Sequence, residues 1–211
     1  MRIAIALTGV SQGQGVGTAG ADRNWTLTKD SVKANVIDCF KDTNTVSTYL
    51  TTYSHSTINE LVEFYKPNKT VMIPYEGSHP RITRLHGMTE LLYEDVDFII
   101  LTRFDINFYH PINTYNWDYN KFNFVFREIE PYWSLHLFVG DCLFGFPKRY
   151  LTTFIESIRR EHSAPYRNQL DLHPVYRHVS DFISDSEINF LHQGCYNSNG
   201  IDNPFYSLVR A

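Results

Sequence analysis

The sequence predicts an α/β protein with a mostly parallel central sheet flanked by helices. Three observations carry that prediction. Apolar, β-branched runs recur at residues 2–7, 46–53, 70–74 and 96–101, and the last is near-continuous, the pattern of a strand buried on both faces. Segments with apolar residues at helical spacing lie between these runs, at 28–40, 56–65 and 81–93. The resulting β-α-β-α-β-α-β order implies parallel strands joined by right-handed crossovers.

Taken in order, the first strand ends at Thr8-Gly9 and a glycine-rich loop follows. Gly15-x-Gly17-x-x-Gly20 in that loop has the spacing of a dinucleotide fingerprint. Gly15 comes well after Leu7, however, and the second strand ends in Tyr53-Ser54-His55 rather than in an acid, so the context of that fingerprint is missing. The helix at 28–40 starts near Thr28 and turns Val32, Val36, Ile37 and Phe40 to one side. Pro67-Asn68 stops the helix at 56–65. The helix at 81–93 places Ile82, Leu85, Met88, Leu91 and Leu92 inward.

The second half changes character. An aromatic, Asn-rich loop at 110–120 precedes an alternating strand at 122–127. The apolar stretch at 134–146 is interrupted by Gly140-Asp141. A helix at 148–162 carries Leu151, Phe154, Ile155 and Ile158, then come a helix at 174–183 and a strand at 187–191. With no repeat and no linker, the expectation is one domain of two unequal halves, 1–109 and 110–211.

Composition narrows the function. The net charge of -4 excludes nucleic-acid binding by phosphate neutralisation. Cys39, Cys142 and Cys195 show neither zinc spacing nor a disulfide framework, which fits a reducing, cytoplasmic compartment. The first residues are too short for a membrane span, and no transmembrane segment is expected. Aromatic residues reach 15%, which suits ring stacking on flat or sugar-like ligands as well as a packed core.

Ligands of open α/β sheets bind at the carboxyl edge of the strands. Arg103, Asp105 and Asn107 stand there, after the central strand. Asp105 is either its polar end or a carboxylate facing a metal or a phosphate, with Asn107 beside it. Asp141, after Gly140, either ties up loose backbone or faces an acceptor hydroxyl. His192 is a structural residue or a metal ligand. Arg81 and Arg84 begin a helix, as a solvated face or as diphosphate contacts. Tyr53, Tyr75 and Trp133 pack the core or stack on a base or sugar.

The Thr-Arg-Phe-Asp-Ile-Asn segment at 102–107 resembles the region of the Asp-x-Asp motif in GT-A glycosyltransferases. Arg103 holds the place of the first Asp, leaving Asp105 as the carboxylate. The His192-x-Gly194 turn is similar to the late His that ligates manganese in several such families. The whole chain also resembles the amino-terminal glycosyltransferase domain of chlorella virus proteins that decorate the major capsid glycoprotein. These resemblances imply a GT-A-like (Rossmann-like) fold, with a nucleotide-sugar-binding first half, an acceptor-binding second half and more chain beyond residue 211. They imply transfer of a hexosyl or deoxyhexosyl group from a UDP-sugar to a glycan hydroxyl, on a viral capsid glycoprotein in the host cytoplasm. Mn2+ or Mg2+ is the implied cofactor, on Asp105, Asn107 and His192, with Thr8-Gly9 cradling the nucleotide. Asp105 and Asp141 are the expected catalytic residues, and Tyr53, Tyr75, Arg81, Arg84 and Arg103 the further donor contacts. The alternatives are a nucleotide-dependent oxidoreductase using the glycine-rich loop, and a non-catalytic carbohydrate-binding module using the aromatic loop at 109–119.

Overall fold

In the computed structural model, which describes residues 1–14, 22–74, 80–163, 172–198 and 203–209, strand and helix alternate through the first half. β1 (Arg2–Thr8) leads through a short ribbon, β2 (Gln12–Gln14) and β3 (Asp22–Asn24), into α1 (Lys29–Val32). Then come β4 (Thr45–Tyr53), α2 (Ile58–Tyr65), β5 (Lys69–Ile73), α3 (Pro80–Glu90) and β6 (Phe98–Arg103). The second half holds β7 (Ile106–Phe108), β8 (Phe122–Phe124), β9 (Arg127–Glu128), α4 (Tyr132–His136) and β10 (Leu143–Pro147). It closes with α5 (Leu151–Ser163), α6 (Val175–Ser180), β11 (Ile188–Phe190), β12 (Cys195–Tyr196) and β13 (Tyr206–Leu208).

The main sheet runs β11-β8-β10-β6-β1-β4-β5. β5, β4, β1 and β6 are parallel, as the alternation predicts. β10 lies antiparallel between β6 and β8, and β11 is parallel to β8. The fold is therefore α/β, with a mostly parallel seven-stranded sheet, helices against it and small ladders beside it.

The pleat of β1 explains the two layers. Ile3, Ile5 and Leu7 face one core with Trp25, Val32, Val36 and Phe40, and with Leu61 and Tyr65 of α2. Ala4 and Ala6 face the other, with Met88, Leu91, Phe154, Ile158, Val175 and Val179. Two alanines leave room for α3 to sit close. A Cβ on Gly87 would stand 2.8 Å from the Thr51 hydroxyl and 3.1 Å from the Thr8 methyl, so glycine is what permits this approach. The helix expected at 28–40 does bury Val32, Val36, Ile37 and Phe40, but it widens into a π-helical turn over Lys33–Ile37 and tightens over Asp38–Phe40.

Some expectations fail locally. Leu92 is exposed, because the chain tightens into a 3-10 turn at Leu91–Tyr93 and rotates it outward. The strand expected at 122–127 breaks after Phe124, and its remainder pairs elsewhere as β9. The apolar stretch at 134–146 opens in α4, which buries none of its residues. β7 and β13 pair with each other antiparallel, three residues apiece, and were not expected as strands.

Topology fixes one special place. From β1 the chain steps outward to β4 and β5, then crosses back to place β6 on the other side of β1. The order reverses between β1 and β6. Thr8 and Arg103 are register partners at the carboxyl ends of those two strands. A reversal of this kind opens the crevice in which open α/β sheets bind ligands.

Candidate functional site

The crevice begins where β1 stops. Gly9 takes φ +116, a conformation that L side chains rarely adopt, and its N–H donates to the Thr51 carbonyl at 3.2 Å. That turn ends the strand sharply. Among the described residues the buried Thr8 hydroxyl has no hydrogen-bond partner. Beyond the turn, the Ser11 hydroxyl lies 2.8 Å from the Thr52 hydroxyl and 2.8 Å from His55 Nε2, so the β1 and β4 ends are tied together by side chains.

Across the reversal stands a chain of opposite charges. Arg103 donates from Nε to Asp105 Oδ1 at 2.8 Å and from Nη2 to Asp105 Oδ2 at 2.6 Å. Its Nη1 donates to both oxygens of Asp141, at 2.8 and 3.0 Å. Arg84 of α3 reaches the same carboxylate from the other side, Nη2 to Oδ2 at 3.0 Å. Arg23 of β3 places Nε 2.9 Å from Asp105 Oδ2. The carboxylates and Arg84 are sealed, at 4% exposure for Asp105, 3% for Asp141 and 2% for Arg84. The Arg103 and Arg23 side chains keep 15% and 12%, so the cluster meets solvent on the side of these two arginines.

Burial would raise both carboxyls, but the neighbouring cations outweigh it. The Arg103 charge and hydrogen bonds, with Arg23 behind them, hold Asp105 below its ordinary value. Arg103, His173 and Arg84 hold Asp141 well below the carboxylate range. Burial alone would lower Arg103, yet Asp105 and Asp141 push it far above its ordinary value. All are thus ionised near neutral pH. A carboxylate so held is a feeble proton acceptor, which argues against Asp141 as the acceptor-side base. Gly140 gives the chain room here, since a Cβ would meet Val125 at 2.6 Å and the Phe126 ring at 2.8 Å.

The expected metal ligands do not suit an ion. Asp105 gives its two oxygens to guanidiniums. Asn107 stands in β7 opposite Ser207, between the buried Ile106 and Phe108. His192 lies in an aromatic stack, its ring centroid 3.3 Å from that of Phe205 and 4.6 Å from Tyr115. Burial alone pushes its pKa down to about 4, and its Nε2 has no hydrogen-bond partner among the described residues. Among the described residues, no group of three His, Cys, Asp or Glu side chains is arranged to hold a metal.

The remaining expectations divide. Tyr53 is buried at the end of β4, so its ring is covered. Trp133 packs on Tyr176 and Phe190. Arg84 is not part of a solvated helix face but belongs to the charge cluster. Tyr75 and the glycine pattern at 15–20 lie outside the described residues, as does the side chain of Arg81.

Three residues at the site carried no sequence signal. Arg23 arrives from the ribbon. His173 sits 3.9 Å by Nε2 from Asp141 Oδ1. Its Nδ1 is 2.7 Å from the Val139 carbonyl and 3.3 Å from Glu128 Oε1. A carbonyl only accepts, so Nδ1 carries the proton and Nε2 faces the cluster. Isolated Arg, His and Glu residues have no spacing that would have marked them.

No protein-family model matches the chain, and no curated protein matches it. Two similar solved structures are a nucleoside-diphosphate-sugar pyrophosphorylase from Vibrio cholerae RC9 and a nucleotidyl transferase from Methanothermobacter. The first is 15% identical, covers 92% of each chain and superposes with a TM-score of 0.49. The second is 11% identical, covers 93% of this chain and 87% of its own, and also has a TM-score of 0.49. Among the described residues, no helix is long and apolar enough to cross a membrane.

Proposed function

We propose that this protein is a GT-A-type glycosyltransferase, moving a hexosyl or deoxyhexosyl group from a UDP-sugar to a glycan hydroxyl. One observation carries the reading. At the strand-order reversal, Thr8 is paired in register with Arg103, which belongs to a fixed set of guanidiniums. In glycosyl transfer the bond from the anomeric carbon to the donor diphosphate breaks, and negative charge develops on that diphosphate. Donors already held in place stabilise this charge without reorganising. Arg103 and Arg84 are so held, by Asp105 and Asp141, which makes the two acids positioning residues in this reading. The Thr8 hydroxyl, buried without a partner, supplies a further donor for a phosphate oxygen. The resemblance to capsid-decorating proteins points to a glycan on a viral capsid glycoprotein as the acceptor.

A panel of nucleotide sugars, scored for release of nucleoside diphosphate, tests the reading. The expected result is UDP release from one UDP-sugar, lowered about tenfold in Thr8→Val. Stabilisation by NAD without any effect of UDP would favour the oxidoreductase. Glycan binding indifferent to UDP, with no donor turnover, would favour a carbohydrate-binding module.

A further inference from the structure

A divalent ion bound to a diphosphate draws on one or two carboxylates that still have oxygens to give. The crevice has two carboxylates, and one guanidinium lies between them. Arg103 grips Asp105 through Nε and Nη2, and both oxygens of Asp141 through Nη1. A positive group is therefore already held between the two acids. The flanks add more positive charge, Arg23 on Asp105 and Arg84 on Asp141. Three guanidiniums against two carboxylates leave a surplus of one positive charge in this set. Glu128 and His173 stand behind Asp141 as a pair of their own and do not reverse that surplus.

Two donors in the same corner lack partners among the described residues. The Arg84 side chain is 2% exposed, and among the described residues its Nη1 finds no hydrogen-bond partner although Nη2 is engaged. The Thr8 hydroxyl is equally orphaned, and Gly87, one turn beyond Arg84 on α3, packs against Thr8. Leaving a buried charged N–H unpaired is costly, and such groups normally have a partner. An anion with several oxygens would supply one for each. Surplus positive charge, two orphaned donors and a strand-order reversal coincide at one edge of the sheet.

We propose that the crevice binds the diphosphate of a nucleotide on guanidiniums and the Thr8 hydroxyl alone, with Arg103 standing where the resembling family keeps a divalent ion. The proposal rests on the glycosyltransferase reading for the identity of the ligand, and it departs from that reading's expected cofactor. It also accounts for Arg103 at the first position of the acidic motif: the side chain brings its own fixed cation to the acid two residues later.

Calorimetric titration of UDP into the wild-type protein, once in EDTA and once in manganese, tests it. The expected result is binding in both buffers, with affinities differing by less than about tenfold. Binding that weakens tenfold or more in EDTA and returns with manganese overturns the proposal while leaving the glycosyltransferase reading in place. No UDP binding in either buffer overturns both. Arg103→Gln supplies a second arm, because it frees Asp105 and Asp141 for an ion. Manganese alone is expected to raise the melting temperature of that variant and not of the wild type. A manganese response in the wild type, or a folded variant that ignores manganese, counts against Arg103 holding the ion's place. If the variant does not fold, the wild-type titrations decide.

Discussion

Asp141→Asn separates a structural clamp from a catalytic base. The carboxylate accepts from Arg84 at 3.0 Å and from Arg103 at 2.8 and 3.0 Å, at 3% exposure. Asparagine keeps the shape and one acceptor oxygen but removes the charge. Arg84, itself buried, is then left without a counter-ion, and removing one partner of a buried pair typically costs about 3–5 kcal/mol. The Asp141 carboxyl is held below its ordinary value against burial, so its ionised form stabilises the fold at neutral pH. That contribution is fully present above the unfolded carboxylate pKa and fades as pH falls through the folded value. Urea unfolding at neutral pH should thus show the loss, and the gap between wild type and variant should narrow below about pH 4. The double variant with Arg84→Met should lose less than the sum of its two singles, because the orphaned charge is gone. A cost under about 1 kcal/mol at neutral pH, with activity abolished, would refute the clamp and return Asp141 to the role of a base.

Three further outcomes follow from the geometry. Thr8→Val removes an unpaired buried hydroxyl at nearly constant shape, so thermal unfolding should show unchanged or higher stability, by up to about 1 kcal/mol, even as donor turnover falls. His192→Phe should flatten stability against pH in urea titrations. A His lowered to about 4 stabilises fully above its unfolded value near 6.5 and loses that between 6.5 and 4, by at most about 3 kcal/mol. Gly145→Ala should lower the melting temperature, by about 1–3 kcal/mol of stability, because its Cβ would overlap the Trp117 ring and stand 3.1 Å from Phe98.

The sheet was legible because its strands advertise themselves. Ile3, Ile5 and Leu7 alternate with two alanines, and Phe98 to Leu101 is apolar on both faces. The helices against it show the same clarity through Val32, Val36 and Phe40, and through Phe154 and Ile158. The ladders at the edges were hidden, since Ile106–Phe108 and Tyr206–Leu208 are three residues long and gain their strand character from each other across the chain. The candidate site was half visible. Position marked Arg103 and Asp105 as residues of the carboxyl edge, and Gly140-Asp141 stood out as a polar break. Their pairing was not visible, because a guanidinium's choice between a phosphate and a carboxylate depends on what the fold brings beside it. Arg84 shows this most plainly. Its place near a helix start is compatible with a solvated face, and only the close seat of α3 over Ala4 and Ala6 carries it under the sheet edge to Asp141.

The most direct measurement is a crystal structure of the protein soaked with UDP. The account predicts a diphosphate at the carboxyl ends of β1 and β6, its oxygens within hydrogen-bond distance of Arg84 Nη1, Arg103 and the Thr8 hydroxyl. UDP seated elsewhere, for instance in the surface groove lined by Trp25, Lys29, Lys33 and Phe64, would contradict it.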